Sequence, residues 1–169
     1  MHSKIGAGVV AGLLSGLVFG ILMHMLTTPM PMAEGGQMPM AEGGRMPMMA
    51  MLAQVVRSDN LIAGWVYLLI NSVVVGGIFG YVLGGRAARI GGGLAWGALY
   101  GVLLWVLGGL ILMPLLLGMA AFAPLTMAPM RPGAMGSLAA HVLCGLILGG
   151  VFAGLYSREP AVSQPVPRA

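Results

Sequence analysis

The chain has 169 residues, of which 59% are hydrophobic and only 7% charged, and it carries 29 glycines and a net charge of +4. A soluble domain has about 25% charged residues. The composition therefore excludes an ordinary cytosolic enzyme, a nucleic-acid-binding domain and a disordered tail, and points to an integral membrane protein.

The first apolar run, about Ile5–Leu26, follows a single lysine, Lys4. It is longer than a secretory core of roughly 7–15 residues and ends in His24-Met25-Leu26-Thr27-Thr28-Pro29, a poor cleavage site, so we expect an uncleaved first span. Residues 27–60 then form a Met-rich external loop. It holds an octad repeat, Met30-Pro31-Met32-Ala33-Glu34-Gly35-Gly36-Gln37 followed by Met38-Pro39-Met40-Ala41-Glu42-Gly43-Gly44-Arg45, and a third Met46-Pro47-Met48. Proline and glycine at this density disfavour helix, so Pro29–Arg45 is expected to be flexible. Met48–Val56 is apolar and reads as a short interfacial helix.

Three more runs meet the 17–25 apolar residues that a spanning helix needs: about Leu61–Gly85, Gly92–Met119 and Ser137–Tyr156. None contains Lys, Arg, Asp or Glu. Pro114, inside the third, predicts a kink or an early end near the membrane surface. The tail, 157–169, is proline-containing and weakly hydrophobic, and is expected to be a disordered cytoplasmic segment. Residues 1–156 thus make one membrane domain.

Orientation follows from the loop charges. The side shared by both termini and the middle loop holds Lys4, Arg86, Arg89, Arg158 and Arg168 against Glu159; the other holds Arg45, Arg57 and Arg131 against Glu34, Glu42 and Asp59. The basic excess places both termini in the cytoplasm, and the expected location is the bacterial inner membrane.

Glycines recur every fourth residue at Gly8, Gly12, Gly16 and Gly20, at Gly76, Gly80 and Gly84, at Gly93, Gly97 and Gly101, and at Gly145 and Gly149. Small residues at that spacing let membrane helices approach closely. The runs also match each other. Gly8/12/16 correspond to Gly93/97/101 at an offset of 85, and Gly76-Gly77-Ile78-Phe79 to Gly149-Gly150-Val151-Phe152 at an offset of 73. The expected fold is therefore all-α, a four-helix transmembrane bundle built as a duplicated helical hairpin with glycine-zipper packing, its pseudo-twofold axis along the membrane normal.

Candidate chemistry is confined to a few side chains. His24 ends the first span, and His141 lies one turn into the fourth with Cys144 on the same helix face at i+3. Of 16 methionines, ten lie between Met23 and Met51, and five more lie in or beside the other external loop. Thioether sulfur is a soft ligand that favours Cu(I), so His24, His141, Met23, Met25 and Cys144 form a candidate copper site. Two histidines at similar depth are also the minimum for haem. Methionine is equally a flexible apolar filler. No acidic residue within a span offers a general base, no nucleotide-binding loop is present, and no catalytic residue or resident cofactor is expected. The single cysteine excludes an intramolecular disulfide.

The matching residues Met46–Met51, Gly64-Trp65, Met113-Pro114 with Gly118, and His141 with Gly145 and Gly149 resemble a group of small, uncharacterised bacterial four-span membrane proteins. The resemblance implies a histidine in the second span, where this chain has Gly64-Trp65-Val66-Tyr67-Leu68. It implies no established activity. The expected function is that of a non-enzymatic structural or accessory membrane subunit, whose partners are the lipid bilayer and other membrane proteins or further copies of itself, with no nucleic acid. The alternative is Cu(I) binding by an external Met/His cluster; a third is a small oligomeric transporter or channel.

Overall fold

A computed structural model describes residues 3–29 and 45–156. Most of the octad loop and the tail, for which the sequence predicts flexibility and disorder, lie outside the described residues.

Helix α1 (Lys4–Met25) starts where the Ser3 hydroxyl accepts the Gly6 N–H at 3.0 Å, satisfying one of the orphan amides of a helix start. After it, Thr27–Pro29 pairs antiparallel with Arg45–Pro47, which brings the two ends of the octad loop together. Helix α2 (Met48–Val55) follows. It coincides with the predicted interfacial helix but packs on the bundle, against α3 (Leu61–Leu83). Gly64 permits this approach: a Cβ there would lie 2.8 Å from the Met49 carbonyl oxygen. Asn60 caps α3 by accepting the Ile62 N–H at 2.9 Å.

A short turn leads to α4 (Ile90–Leu104), which runs on through a π-helical segment (Trp105–Leu112) into α5 (Met113–Leu116). Helix α6 (Ala123–Thr126) and a 3-10 turn (Ala128–Met130) precede α7 (Arg131–Tyr156). Four stretches are long and apolar enough to cross a membrane: Lys4–Met25, Leu61–Leu83, Ile90–Leu116 and Ala128–Tyr156. The chain is an all-helical, multi-pass membrane protein.

The distribution of side-chain sizes agrees with that medium. On α1 the buried residues are Ala7, Gly8, Ala11, Gly12, Ser15, Gly16, Gly20 and Met23, while Val10, Leu13, Leu14, Leu17 and Ile21 face outward. Small residues inside and large apolar ones outside invert the soluble pattern. They suit a solvent that is itself apolar, where helix association rests on close packing.

Helix α1 packs on α3 and on α7, and α7 packs on α4; α3 and α4, although joined by a short turn, scarcely touch. Both close pairs cross at glycines. A Cβ on Gly12 would lie 2.8 Å from the Gly76 Cα, and one on Gly97 3.0 Å from the Gly149 Cα. Lys4 lies over the Tyr156 ring at 5.9 Å, so both ends of the described chain meet at one end of the bundle, here the termini end. Phe79, Phe152 and Tyr100 fill its core there, with ring centroids 5.3–5.5 Å apart. The opposite, loop end has a second core of Met23, Met49, Leu68 and Ala140.

Pro114 neither stops the third span at once nor simply kinks it. It cannot donate to the Leu110 carbonyl, and that carbonyl instead accepts the Phe122 N–H at 2.7 Å. Phe122 reaches it with a left-handed φ of 63°. The connection after α5 is thereby tied back onto the helix. Helix α7 in turn begins at Arg131, ahead of the predicted boundary at Ser137.

Candidate functional site

A cavity of about 400 Å³ runs through the loop-end half of the bundle, on the side where α3 and α4 part. Helix α7 gives it one continuous stripe, Ala134, Ser137, His141, Cys144 and Leu148, at the three- and four-residue spacing of a single helix face. Helix α1 contributes Ser15, Phe19 and Met23; α3 contributes Leu68, Asn71, Ser72 and Val75. The opposite wall is the π-helical segment, including Trp105 and Leu110, with Met113 beyond it; α2 covers the loop end with Met48 and Met51. Single π turns inside α-helices are frequent at functional sites; here six residues of the π-helical segment, Trp105, Leu107, Gly108, Gly109, Leu110 and Leu112, line the cavity.

The lining is largely apolar, and most of its polar groups are already engaged. Asn71 Nδ2 donates to the Tyr67 carbonyl and Ser72 Oγ to the Leu68 carbonyl, both at 2.8 Å and both within their own helix. Ser15 Oγ donates to the Cys144 carbonyl at 2.7 Å, tying α1 to α7. Among the described residues no buried side-chain nitrogen or oxygen lacks a partner.

His141 is different. Its Nδ1 lies 2.8 Å from the Ser137 carbonyl oxygen and 3.4 Å from the Ser137 hydroxyl. A carbonyl only accepts, so Nδ1 carries the proton in the neutral ring and Nε2 presents a bare lone pair. The ring is turned back along α7 toward its start and is held edge-on to Phe19, centroids 4.6 Å apart. No described residue donates to Nε2, which leaves it a free acceptor in the cavity wall, beside the Asn71 amide oxygen, whose Nδ2 alone is bonded.

The predicted metal set is divided by this arrangement. Met23, His141 and Cys144 line the cavity, the last two on one face as their spacing predicts. His24 and Met25 do not; both are exposed at the end of α1, Met25 by 74%. Successive residues of a helix are about 100° apart, so the triplet Met23-His24-Met25 cannot present three donors to one point. His141 is also deeper than expected. It lies ten residues into α7, about 15 Å from the helix start, not one turn in, so His24 and His141 do not form a matched pair for haem. Sequence reasoning missed Met48, Met51, Met113 and Met130 as cavity residues. Their signal was the methionine excess of the two loops, which does not reveal which sulfurs turn inward. Among the described residues, no group of three or more His, Cys, Asp and Glu side chains is placed to hold a metal ion.

No protein-family model matches the chain, and neither does any curated protein or solved structure.

Proposed function

We propose that the chain is a non-enzymatic accessory protein of the bacterial inner membrane that holds a small ligand inside its helical bundle. The cavity carries this proposal. A pocket of 300–1,000 Å³, mostly apolar with a few convergent polar groups, is the usual form of a small-molecule site, and this one is about 400 Å³ with His141 Nε2 among its free polar groups. Both termini are cytoplasmic on the basic-residue balance, which puts the loop end and its cavity in the outer leaflet.

The scaffold we propose is a duplicated hairpin with glycine-zipper crossings. Three sets of contacts support it. Gly12 meets Ser72 and Gly76, and their counterparts at offsets of 85 and 73 do the same: Gly97 meets Gly145 and Gly149. Gly8 meets Gly76 and Gly80, as Gly93 meets Gly149 and Ala153. Phe79 and Phe152, counterparts of each other, are in edge contact at 5.5 Å, as expected for side chains beside a twofold axis.

The test uses Trp105, which lines the cavity. Replacing Trp65 and Trp96 with Phe leaves Trp105 as the sole tryptophan. In nanodiscs, a small brominated hydrocarbon should quench its fluorescence, and Ala134→Phe, which fills the cavity, should relieve the quenching. Quenching that Ala134→Phe leaves unchanged would refute a ligand-holding cavity.

A further inference from the structure

The ligand of this cavity can be named by the chemistry of its walls. We infer that it is a soft monovalent metal ion, Cu(I), held by His141 Nε2 with the thioethers of Met23 and Met48; this rests on the cavity being a binding site, as proposed above.

Three observations converge on these donors. First, the Nδ1–H bond to the Ser137 carbonyl fixes the tautomer and aims Nε2 away from its own helix. An imidazole held by its second nitrogen on a carbonyl is the usual arrangement of a metal-binding histidine. Second, Met23 is brought to it by antiparallel packing. Ser15 is bonded at the level of Cys144, and Phe19 touches the His141 ring, so Met23 stands one turn nearer the loop end. Side chains lean toward the start of their own helix. On opposed helices Met23 therefore leans down and His141 leans up, and the two converge. Third, Met48 on α2 packs into the cluster formed by Met23, Leu68 and Ala140, the neighbour of His141. One nitrogen and two thioether sulfurs, with no carboxylate beside them among the described residues, disfavour Zn(II), Mg(II) and Ca(II) and suit Cu(I).

This set differs from the one that spacing alone suggests. His24 and Met25 point away from the cavity, and Cys144 lies one turn below a ring that is turned upward. The ion thus sits between α1, α2 and α7 at the loop end. The Met-Pro-Met segments of the octad loop are a separate source of thioethers from which it has to be told apart.

The experiment is an anaerobic titration of the full-length protein in detergent with Cu(I), read against a competing chelator, with Ag(I) as a redox-inert check. One ion should bind per chain. His141→Phe keeps an aromatic ring on Phe19 and removes the nitrogen; affinity should fall by at least ~100-fold, the upper end of what loss of even an outer-shell partner costs. Met23→Leu and Met48→Leu keep volume and should each lower it at least ~10-fold, by the same comparison. His24→Ala and Met25→Leu should change nothing. Binding that survives His141→Phe but is lost when Met30, Met32, Met38 and Met40 become Leu would place the metal on the loop and overturn the inference. No Cu(I) binding together with quenching of Trp105 relieved by Ala134→Phe would leave the cavity reading standing and assign it an apolar molecule instead; failure of both would remove both.

Discussion

One substitution made twice on α7 tests whether glycine contact holds this bundle together. At Gly149 an added Cβ would sit 2.6 Å from the Gly93 carbonyl carbon and 3.1 Å from the Gly97 Cα, with the Gly93 oxygen closer still. At Gly154, on the same helix, nothing lies within 4 Å of the added atom. Carbon atoms in contact sit about 3.5–4.0 Å apart, so Gly149→Ala must part α4 and α7 by roughly 1 Å. A gap of that size forfeits a quarter to a half of each contact well of ~0.1–0.2 kcal/mol. Over a few tens of atom pairs along the crossing, the loss is about 1–3 kcal/mol, the usual range for overpacking. Alanine's better helix propensity returns at most ~1 kcal/mol. Gly149→Ala should therefore destabilise the protein by about 1–2 kcal/mol net, while Gly154→Ala should be neutral or stabilising by up to ~1 kcal/mol. The measurement is reversible unfolding in mixed micelles as SDS is titrated in, followed by circular dichroism. Equal shifts for the two variants, or a stabilised Gly149→Ala, would refute close glycine packing as the force joining α4 to α7.

Two further outcomes follow from single bonds. Ser15→Ala removes the hydroxyl that joins α1 to the Cys144 carbonyl; interhelical bonds in membranes average ~0.6 kcal/mol and reach ~1.7, so the same titration should show a loss within that range. Pro114→Ala restores an amide that competes for the Leu110 carbonyl. Phe122 should lose its 2.7 Å bond, which hydrogen exchange would report as faster exchange at the Phe122 amide with α7 unaffected.

The four spans were legible because length and hydropathy decide them. The ends of the third and fourth spans were not. Pro114 signals a break, but where the freed Leu110 carbonyl finds its donor depends on the chain returning through Phe122 at positive φ. Arg131 and Pro132 read as loop, yet a proline fits the first turn of a helix, and α7 takes them in. That shift alone moved His141 from near the surface to nearly three turns deep. The candidate site was half visible. Helical spacing predicted that His141 and Cys144 share a face, and the same spacing, applied to Met23-His24-Met25, would have shown that only one of the three could face inward. Met48 and Met51 could not be placed, because they enter the cavity only through the docking of α2 on Gly64.

The cavity itself had no local signature, since it arises from an asymmetry between helices that the proposed duplication would make alike. Ser15 and Tyr100 are counterparts at the offset of 85. Each sends a hydroxyl across the hairpin interface to a backbone carbonyl, Ser15 to Cys144 on α7 at 2.7 Å and Tyr100 to Val75 on α3 at 3.0 Å. The serine hydroxyl sits one bond from its Cβ, so α1 and α7 must come close to make the bond. The tyrosine hydroxyl sits at the far end of a ring, so the equivalent bond is made only with α3 held away from α4. Phe79 packs on that ring at 5.3 Å and fills the gap at the termini end. Toward the loop end the wall carries Gly101, Gly108 and Gly109 beside Trp105, and the separation set by Tyr100 stays open as the cavity. On the proposed duplication, a short and a long donor at matched positions thus give the bundle one closed side and one open, cavity-bearing side.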